Sequence, residues 1–284
     1  MMAILSIQSW VAYGHVGNAA AVLPLQLLGF EVWAVHTVQF SNHTGYRQWR
    51  GTVFPAEEVA AVIQGITERG VLGKIDAVLT GYLGSVGLGE TALGAVAMVK
   101  AANPGAIWAC DPVMGDHGRG VFVHPDLPGF FRDRVLPQAD ILTPNHFELE
   151  NLTGTDVRTL DDALAAVASL RAIGPRVVLV TSLRRREARP ETVEMLAVDE
   201  TGAWLAAVPR LDIEAHGAGD AVAALFLGHY LKRRDTGSAL AAATSAIHAI
   251  LSCTLEAGSG ELALVAAQGD ITAPTIKFDA VRVE

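Results

Sequence analysis

The sequence predicts an α/β fold: a mostly parallel central sheet with helices on both faces. Three observations carry that expectation. Short β-branched runs alternate with Ala-rich helical stretches along most of the chain, the pattern of parallel strands joined by crossover helices. Hydrophobic residues make up 51% of the 284 residues and charged residues 18%, which suits a large core. The 28 glycines suit many strand-to-helix turns and close backbone approach to a ligand.

Ala3–Ile7, Val32–Val38, Ala77–Leu79, Ile107–Ala109, Ile141–Leu142 and Val177–Val180 read as successive core strands. Helices are expected near Asn18–Leu28, Ala56–Arg69, Gly89–Ala102 and Asp161–Ala172. Thr159 followed by Asp162 resembles a capping box that starts the last of these. Glu194–Val198 and Ala203–Val208, around Asp199–Gly202, read as a late antiparallel hairpin. Helices are expected to dominate from about Ala218 to the end, and with no linker or repeat the chain reads as one domain, 1–284. Phe40–Val53 breaks the alternation. It is polar, aromatic and turn-rich, so it reads as a surface loop, an edge hairpin or a substrate-side lid.

A formal net charge of −9 without a long basic block argues against a nucleic-acid-binding role. Cys110 and Cys253 lie far apart in apolar runs, which argues against disulfides and for a reducing cytoplasm. The first residues lack a basic segment followed by an apolar one, so no signal peptide is expected. Gly237–Leu255 has no Asp, Glu, Lys or Arg and approaches the length of a membrane span. Its Ala, Ser and Thr content and His248 make a buried helix the better reading, so no membrane span is expected.

The strongest chemical signal is His216-Gly217-Ala218-Gly219-Asp220 ahead of the apolar run Ala221–Leu231. Glycines at a helix entry let bare N–H groups face an anion, and the helix dipole adds partial positive charge. An Asp there can take a proton from a hydroxyl, or it can be simply a favoured first-turn acid. At a helix N-terminus it is expected to stay ionised and to be a weak base. Thr143-Pro144-Asn145-His146-Phe147-Glu148 follows a predicted strand, so it suits either Mg²⁺ and phosphate ligation or a plain capping box. Asp111, at another strand end, suits an electrostatic group or a turn. Gly87-Leu88-Gly89-Glu90-Thr91-Ala92 fits a dinucleotide fingerprint with Asp111 about twenty residues on. Its glycines, however, begin several residues after the strand ends, where the fingerprint needs a tight turn. A phosphate-loop GxxxxGK[ST], a protein-kinase catalytic loop, a GxSxG elbow and zinc-site spacing are all absent from the sequence.

Taken together and in order, several runs resemble the pyridoxal kinase branch of the ribokinase-like superfamily. They are Ile4–Asn18, Thr37-Val38-Gln39-Phe40-Ser41-Asn42-His43-Thr44, Thr80–Ser85, Cys110–Gly115, Thr143-Pro144-Asn145 with Glu148, and Gly217–Asp220. The last two belong to the superfamily at large, whereas the TVQFSNHT and GYLGS runs are specific to the branch. The resemblance implies ATP-dependent phosphorylation of the hydroxymethyl group of pyridoxal. Ser9, Thr44, Gly45 and Tyr82 would form the substrate pocket. Asp220 would be the base, and Gly217, Ala218 and Gly219 the anion hole. Asp111, Thr143, Glu148, Thr181, Val208, Pro209, Arg210 and Leu211 would lie on the ATP side, with Asp111 and Glu148 towards Mg²⁺. It also implies a homodimer and leaves a monovalent-cation requirement open.

Two departures stand out. Thr181-Ser182 occupies the place where related kinases often carry a Lys, which leaves Arg184–Arg186 as a substitute phosphate contact or a solvated loop. His216 before the anion hole is unusual. Gly115–Val121 reads as an ATP-side flap or a Gly-rich turn. The alternatives are a hydroxymethylpyrimidine or sugar kinase on the same fold, and a vitamin B6 binding or delivery protein with weak turnover.

Overall fold

The computed structural model describes residues 1–283. Its strands are β1 (Ala3–Val11), β2 (Glu31–Phe40), β3 (Gly51–Val53), β4 (Ile75–Thr80), β5 (Ile107–Cys110), β6 (Gly115–Asp116), β7 (Gly120–Val121), β8 (Ile141–Leu142), β9 (Val177–Leu183), β10 (Thr192–Asp199), β11 (Gly202–Pro209) and β12 (Ala280–Val283). Its helices are α1 (Asn18–Leu27), α2 (Ala56–Glu68), α3 (Val86–Ala102), α4 (Leu127–Phe130), α5 (His146–Thr153), α6 (Leu160–Ile173), α7 (Ala218–Arg233), α8 (Thr236–Glu256) and α9 (Gln268–Thr272).

Among the described residues, ten strands form one sheet in the order β12-β11-β10-β9-β8-β5-β4-β1-β2-β3. The strands from β9 to β2 in that order are mutually parallel. Antiparallel strands finish both edges. Alternate side chains on each strand serve opposite faces. Trp108 and Cys110, Val178 and Val180 enter the core with α2, α3, α5 and α6. Ala109, Val177 and Leu179 enter the core with α1, α7, α8 and α9. Both faces of the sheet are therefore buried, which is why its strands read as near-continuous apolar runs rather than alternating ones.

The chain leaves β1 towards β2 on one side and later runs from β4 through β5 and β8 on the other. Sheet direction therefore reverses between β1 and β4, and open α/β folds bind ligands outside the strand ends at such a reversal.

One expectation changes, and several others are decided. Helices do not run to the end of the described chain, because β12 pairs with β11 and extends the sheet. The odd Phe40–Val53 stretch is an edge hairpin, with β3 antiparallel to β2 and a ten-residue tip, 41–50. Gly87 and Gly89 lie inside α3, which starts at a Ser85 cap, so they form no strand-to-helix turn and the dinucleotide reading fails. The Thr159–Asp162 capping box is present. Helix α8 has the length and apolarity of a membrane span, yet Leu240, Ala243, Ile247 and Ile250 are buried in the core it shares with α7.

Candidate active site

The strand ends supply the site. Ser9 is buried near the end of β1, and Tyr82 follows β4 on the other side of the reversal. Thr37 Oγ1 donates to the Tyr82 carbonyl at 2.9 Å, and Tyr82 packs on Val11, Val16, Val38 and Phe40. Its ring is half-buried, and burial raises its hydroxyl pKa. Thr44 and Gly45 occupy the exposed tip of the β2–β3 hairpin, where the Gly45 N–H donates to His43 Nδ1 at 3.1 Å.

Asp111 and Thr143 follow the neighbouring strands β5 and β8, and both are buried. Asn145 caps α5 through a full capping box with Glu148. The Glu148 carboxylate does more than cap. Its Oε2 accepts from Asn145 N–H at 2.9 Å, and its Oε1 accepts from Met114 N–H at 2.8 Å and Gly115 N–H at 3.4 Å. The capping reading of this motif is thus the observed geometry, and it anchors the β6–β7 flap at the end of β5. Burial nevertheless pushes Glu148 up to about 8, against those three hydrogen bonds. Burial, then Glu148, then Asp220 raise Asp111 well above the usual carboxylate range. Asp111, Glu148 and Asp220 therefore share one electrostatic field.

Helix α7 begins at Gly217, which holds φ +85° beside the His15 carbonyl, where a Cβ has no room. No side chain caps this helix, so its first-turn N–H groups stay open to an anion. Asp220 is in that turn. The sequence led us to expect an ionised, weak base, but burial pushes it up to about 6, opposed by a hydrogen bond from Gly17 N–H. Desolvation outweighs that hydrogen bond, which makes Asp220 a stronger base than expected.

His216 stacks on His43, with centroids 4.0 Å apart, and meets Tyr46 edge-on at 5.8 Å. The step before α7 is thereby joined to the hairpin tip. Burial comes first, then His216 and Arg119, in pushing His43 down to about 4. Arg119, on the β6–β7 flap, reaches Gly45 and so spans from flap to hairpin.

Thr181 lies on β9 and its N–H donates to Pro144 carbonyl at 2.9 Å, next to the Asn145 cap. The Arg184–Arg186 run offers little to a phosphate at its centre. Arg185 forms a bidentate pair with buried Glu194, at 2.6 and 2.9 Å. Val208, Pro209 and Arg185 line one cavity with Thr192 and Ala207, while Arg210 and Leu211 follow β11.

His117, His146 and Glu150 also converge. Arg184 N–H donates to His146 Nδ1 at 3.1 Å, so His146 Nε2 carries the proton and faces Glu150 at 3.4 Å. A metal would need that nitrogen's lone pair, so this cluster is a hydrogen-bonded group rather than a metal centre.

A buried acid at a strand end and another in the first turn of α5, in one field with an acid at an open helix N-terminus, define a site built for transferring an anionic group. Comparison with known proteins narrows the class. A family model described as phosphomethylpyrimidine kinase matches residues 25–264. The chain is 58% identical over 281 residues to a pyridoxal kinase of Rubrobacter xylanophilus, covering 99% of this chain and 97% of that protein. It is 54% identical over 287 residues to one from Deinococcus radiodurans, covering 99% and 96%. Among solved structures, pyridoxal kinase from Leishmania donovani with ADP and pyridoxine superposes with a TM-score of 0.92 at 30% identity, covering 99% of both chains. The chain belongs to the pyridoxal kinase family, kinases of ribokinase-like fold.

Glu261, Tyr46, His43 and Arg119 were not singled out from sequence. His43 and Tyr46 lay inside the anomalous 40–53 stretch and Arg119 inside the flap. Glu261 gave no sequence signal, because its role depends on contacts far away in the chain.

Proposed function

We propose that the protein transfers the γ-phosphoryl group of ATP to the hydroxymethyl oxygen of pyridoxal, giving pyridoxal 5'-phosphate. The observation that carries this reading is the partly buried Asp220, raised by desolvation, in the open first turn of α7, in a chain 58% identical to a pyridoxal kinase. Asp220 accepts the hydroxyl proton as the oxygen attacks, and the N–H groups at Gly217, Ala218 and Gly219 hold the charge on the transferring group. Ser9, Thr44, Gly45 and Tyr82 bind the planar ring. Thr143, Thr181, Val208, Pro209, Arg210 and Leu211 line the ATP side.

The donor set on that side fits Mg²⁺. Asp111 and Glu148 are buried carboxylates with raised pKa, a state that a hard cation with oxygen ligands relieves. Asp111 accepts one hydrogen bond, from Thr143 at 3.2 Å, and is the candidate direct ligand. Glu148 has both oxygens engaged by N–H groups and would support the ion electrostatically. Mg²⁺ bound here would neutralise phosphate charge. We further infer a single domain, 1–284, acting as a cytoplasmic homodimer that needs neither nucleic acid nor membrane. The resemblance supports the dimer, and light scattering tests it.

The activity test is ATP- and Mg²⁺-dependent phosphorylation of pyridoxal, pyridoxine, pyridoxamine, hydroxymethylpyrimidine and ribose, with and without Asp220→Ala. Pyridoxal turnover that collapses in the variant supports both substrate and base. Turnover of hydroxymethylpyrimidine alone overturns the substrate. Tight pyridoxal binding without turnover of any panel member makes the chain a vitamin B6 carrier.

A further inference from the structure

We propose that Glu261 is a positioning residue: a buried carboxylate latch that holds the hairpin tip and the β1–α1 loop closed around the substrate. Glu261 is 7% exposed and follows α8, remote in sequence from the site. Both its oxygens are used. Tyr46 Oη donates to Oε1 at 2.8 Å, and His15 N–H donates to Oε2 at 3.0 Å. Its backbone forms a parallel bridge with His216, and Ser259 Oγ fixes the turn by accepting from Glu261 N–H at 2.9 Å.

Three walls of the proposed substrate pocket therefore meet at one residue, two at its carboxylate and one at its backbone. His15 belongs to the loop between Ser9 and α1. Tyr46 belongs to the hairpin tip that carries Thr44 and Gly45. His216 leads into the anion hole, and Tyr46 and His43 both pack on its ring. The chain at Gly14 is shaped around the latch. Gly14 holds φ +90°, and a Cβ there would fall within the Glu261 carboxylate.

A carboxylate placed here for stability alone would be a poor choice. Burying it costs solvation, and among the described residues no Lys, Arg or His forms an ion pair with it. It gains two charge-assisted hydrogen bonds to segments that otherwise have few anchors. Its partner Tyr46 is 38% exposed, so the hairpin tip is held by a few contacts, this hydrogen bond and the His43–His216 stack among them, rather than packed into the core. Cutting this bond loosens the tip, and substrate binding must then supply the ordering that the latch supplies now. Glu261 does not reach the ATP side, so the effect is selective.

This inference rests on the pyridoxal kinase reading. Three variants test it: Glu261→Ala, Glu261→Gln, whose amide keeps the shape and one acceptor, and Tyr46→Phe, which removes one donor at an exposed ring. Expected are a tenfold or larger rise in KM for pyridoxal in Glu261→Ala and a smaller rise in Tyr46→Phe. KM for ATP stays within about twofold, kcat is less affected, and Glu261→Gln recovers most of the loss. The double variant Glu261→Ala/Tyr46→Phe is no worse than Glu261→Ala alone, because both cut the same contact. An unchanged KM for pyridoxal in Glu261→Ala and in Tyr46→Phe overturns the latch, as does a parallel rise of the KM values for pyridoxal and ATP. Amide hydrogen exchange is the independent readout: segments 12–17 and 42–50 exchange faster in the variants while the sheet does not. If the wild-type chain fails to turn over pyridoxal, the function reading falls, and exchange alone decides the latch. Unchanged exchange in those two segments overturns it.

Discussion

Thr143 and Asp111 stand just beyond the ends of neighbouring parallel strands, β8 and β5, and the Thr143 hydroxyl donates to Asp111 Oδ1 at 3.2 Å. That single bond is the only one the structure gives the Asp111 carboxylate among the described residues. Its charge is otherwise opposed by burial and by Glu148 and Asp220. Ionising these three acids together is therefore costly, and a bound cation would offset that cost.

Mg²⁺ binding should therefore relieve an electrostatic strain. Adding Mg²⁺ with ATP is expected to raise the thermal midpoint of the wild-type chain by several degrees through mass action. Asp111→Asn is expected to be more stable alone and to lose most of the Mg²⁺-dependent part of that shift. An equal shift in the variant would remove Asp111 from the cation site. Differential scanning fluorimetry with and without Mg²⁺ decides it.

Asp220 links activity and stability with opposite signs. Its folded pKa, pushed up to about 6, lies above the ordinary value of about 3.9. Between those values the folded state holds the proton more tightly, so this contribution to stability is full below about pH 4. It is lost as pH rises through about 6. Asp220→Asn should then stabilise the ligand-free chain at pH 7 by roughly 2 kcal/mol and reduce kcat by about 10²–10⁴-fold. In the wild type, kcat/KM should fall as pH drops below about 6. A pH profile flat down to pH 5, or full activity in Asp220→Asn, would refute the base assignment.

Gly45 has no room for a larger residue. A Cβ would meet Arg119 Nη2 at 2.7 Å, His43 Nδ1 at 2.8 Å and the His216 ring at 3.0 Å. Gly45→Ala must displace the flap arginine or the stacked histidines. Stability should change by less than about 1 kcal/mol, as the residue is exposed, while KM for pyridoxal rises severalfold. Steady-state kinetics beside a denaturant melt separates the two effects.

Arg185 is structural rather than phosphate-binding. Its bidentate partner Glu194 is 4% exposed, and truncating the arginine leaves that carboxylate buried without its charge partner. Arg185→Ala should cost about 2–4 kcal/mol, whereas Arg184→Ala should be nearly neutral. If Arg185→Ala instead keeps its stability and raises KM for ATP alone, the arginine run does serve the nucleotide.

The sequence by itself determined the sheet, the helices on both faces and the positions of the site acids. Those features are local. Apolar runs at β1, β4, β5, β8 and β9 encode strands buried on two faces, and Thr159 with Asp162 encodes a helix start within four residues. The motifs around Asp111, Thr143, Glu148 and Asp220 sit at strand or helix ends, where a short run of residues fixes backbone and side chain together.

What only the tertiary structure decided depends on distant contact. The β12 edge strand reads as a short exposed run until β11 is there to pair with it. The Gly87–Ala92 fingerprint is already doubtful from its distance after the strand, and the Ser85 cap that puts both glycines inside α3 decides it. Asp220 reads as an ionised, weak base or a plain first-turn acid until desolvation raises it against the Gly17 hydrogen bond. Glu261 reads as one more surface acid, because nothing near it in sequence says that His15, Tyr46 and His216 will close around it. A carboxylate's chemistry is set by what removes its water and what donates to it, and here both come from other parts of the chain.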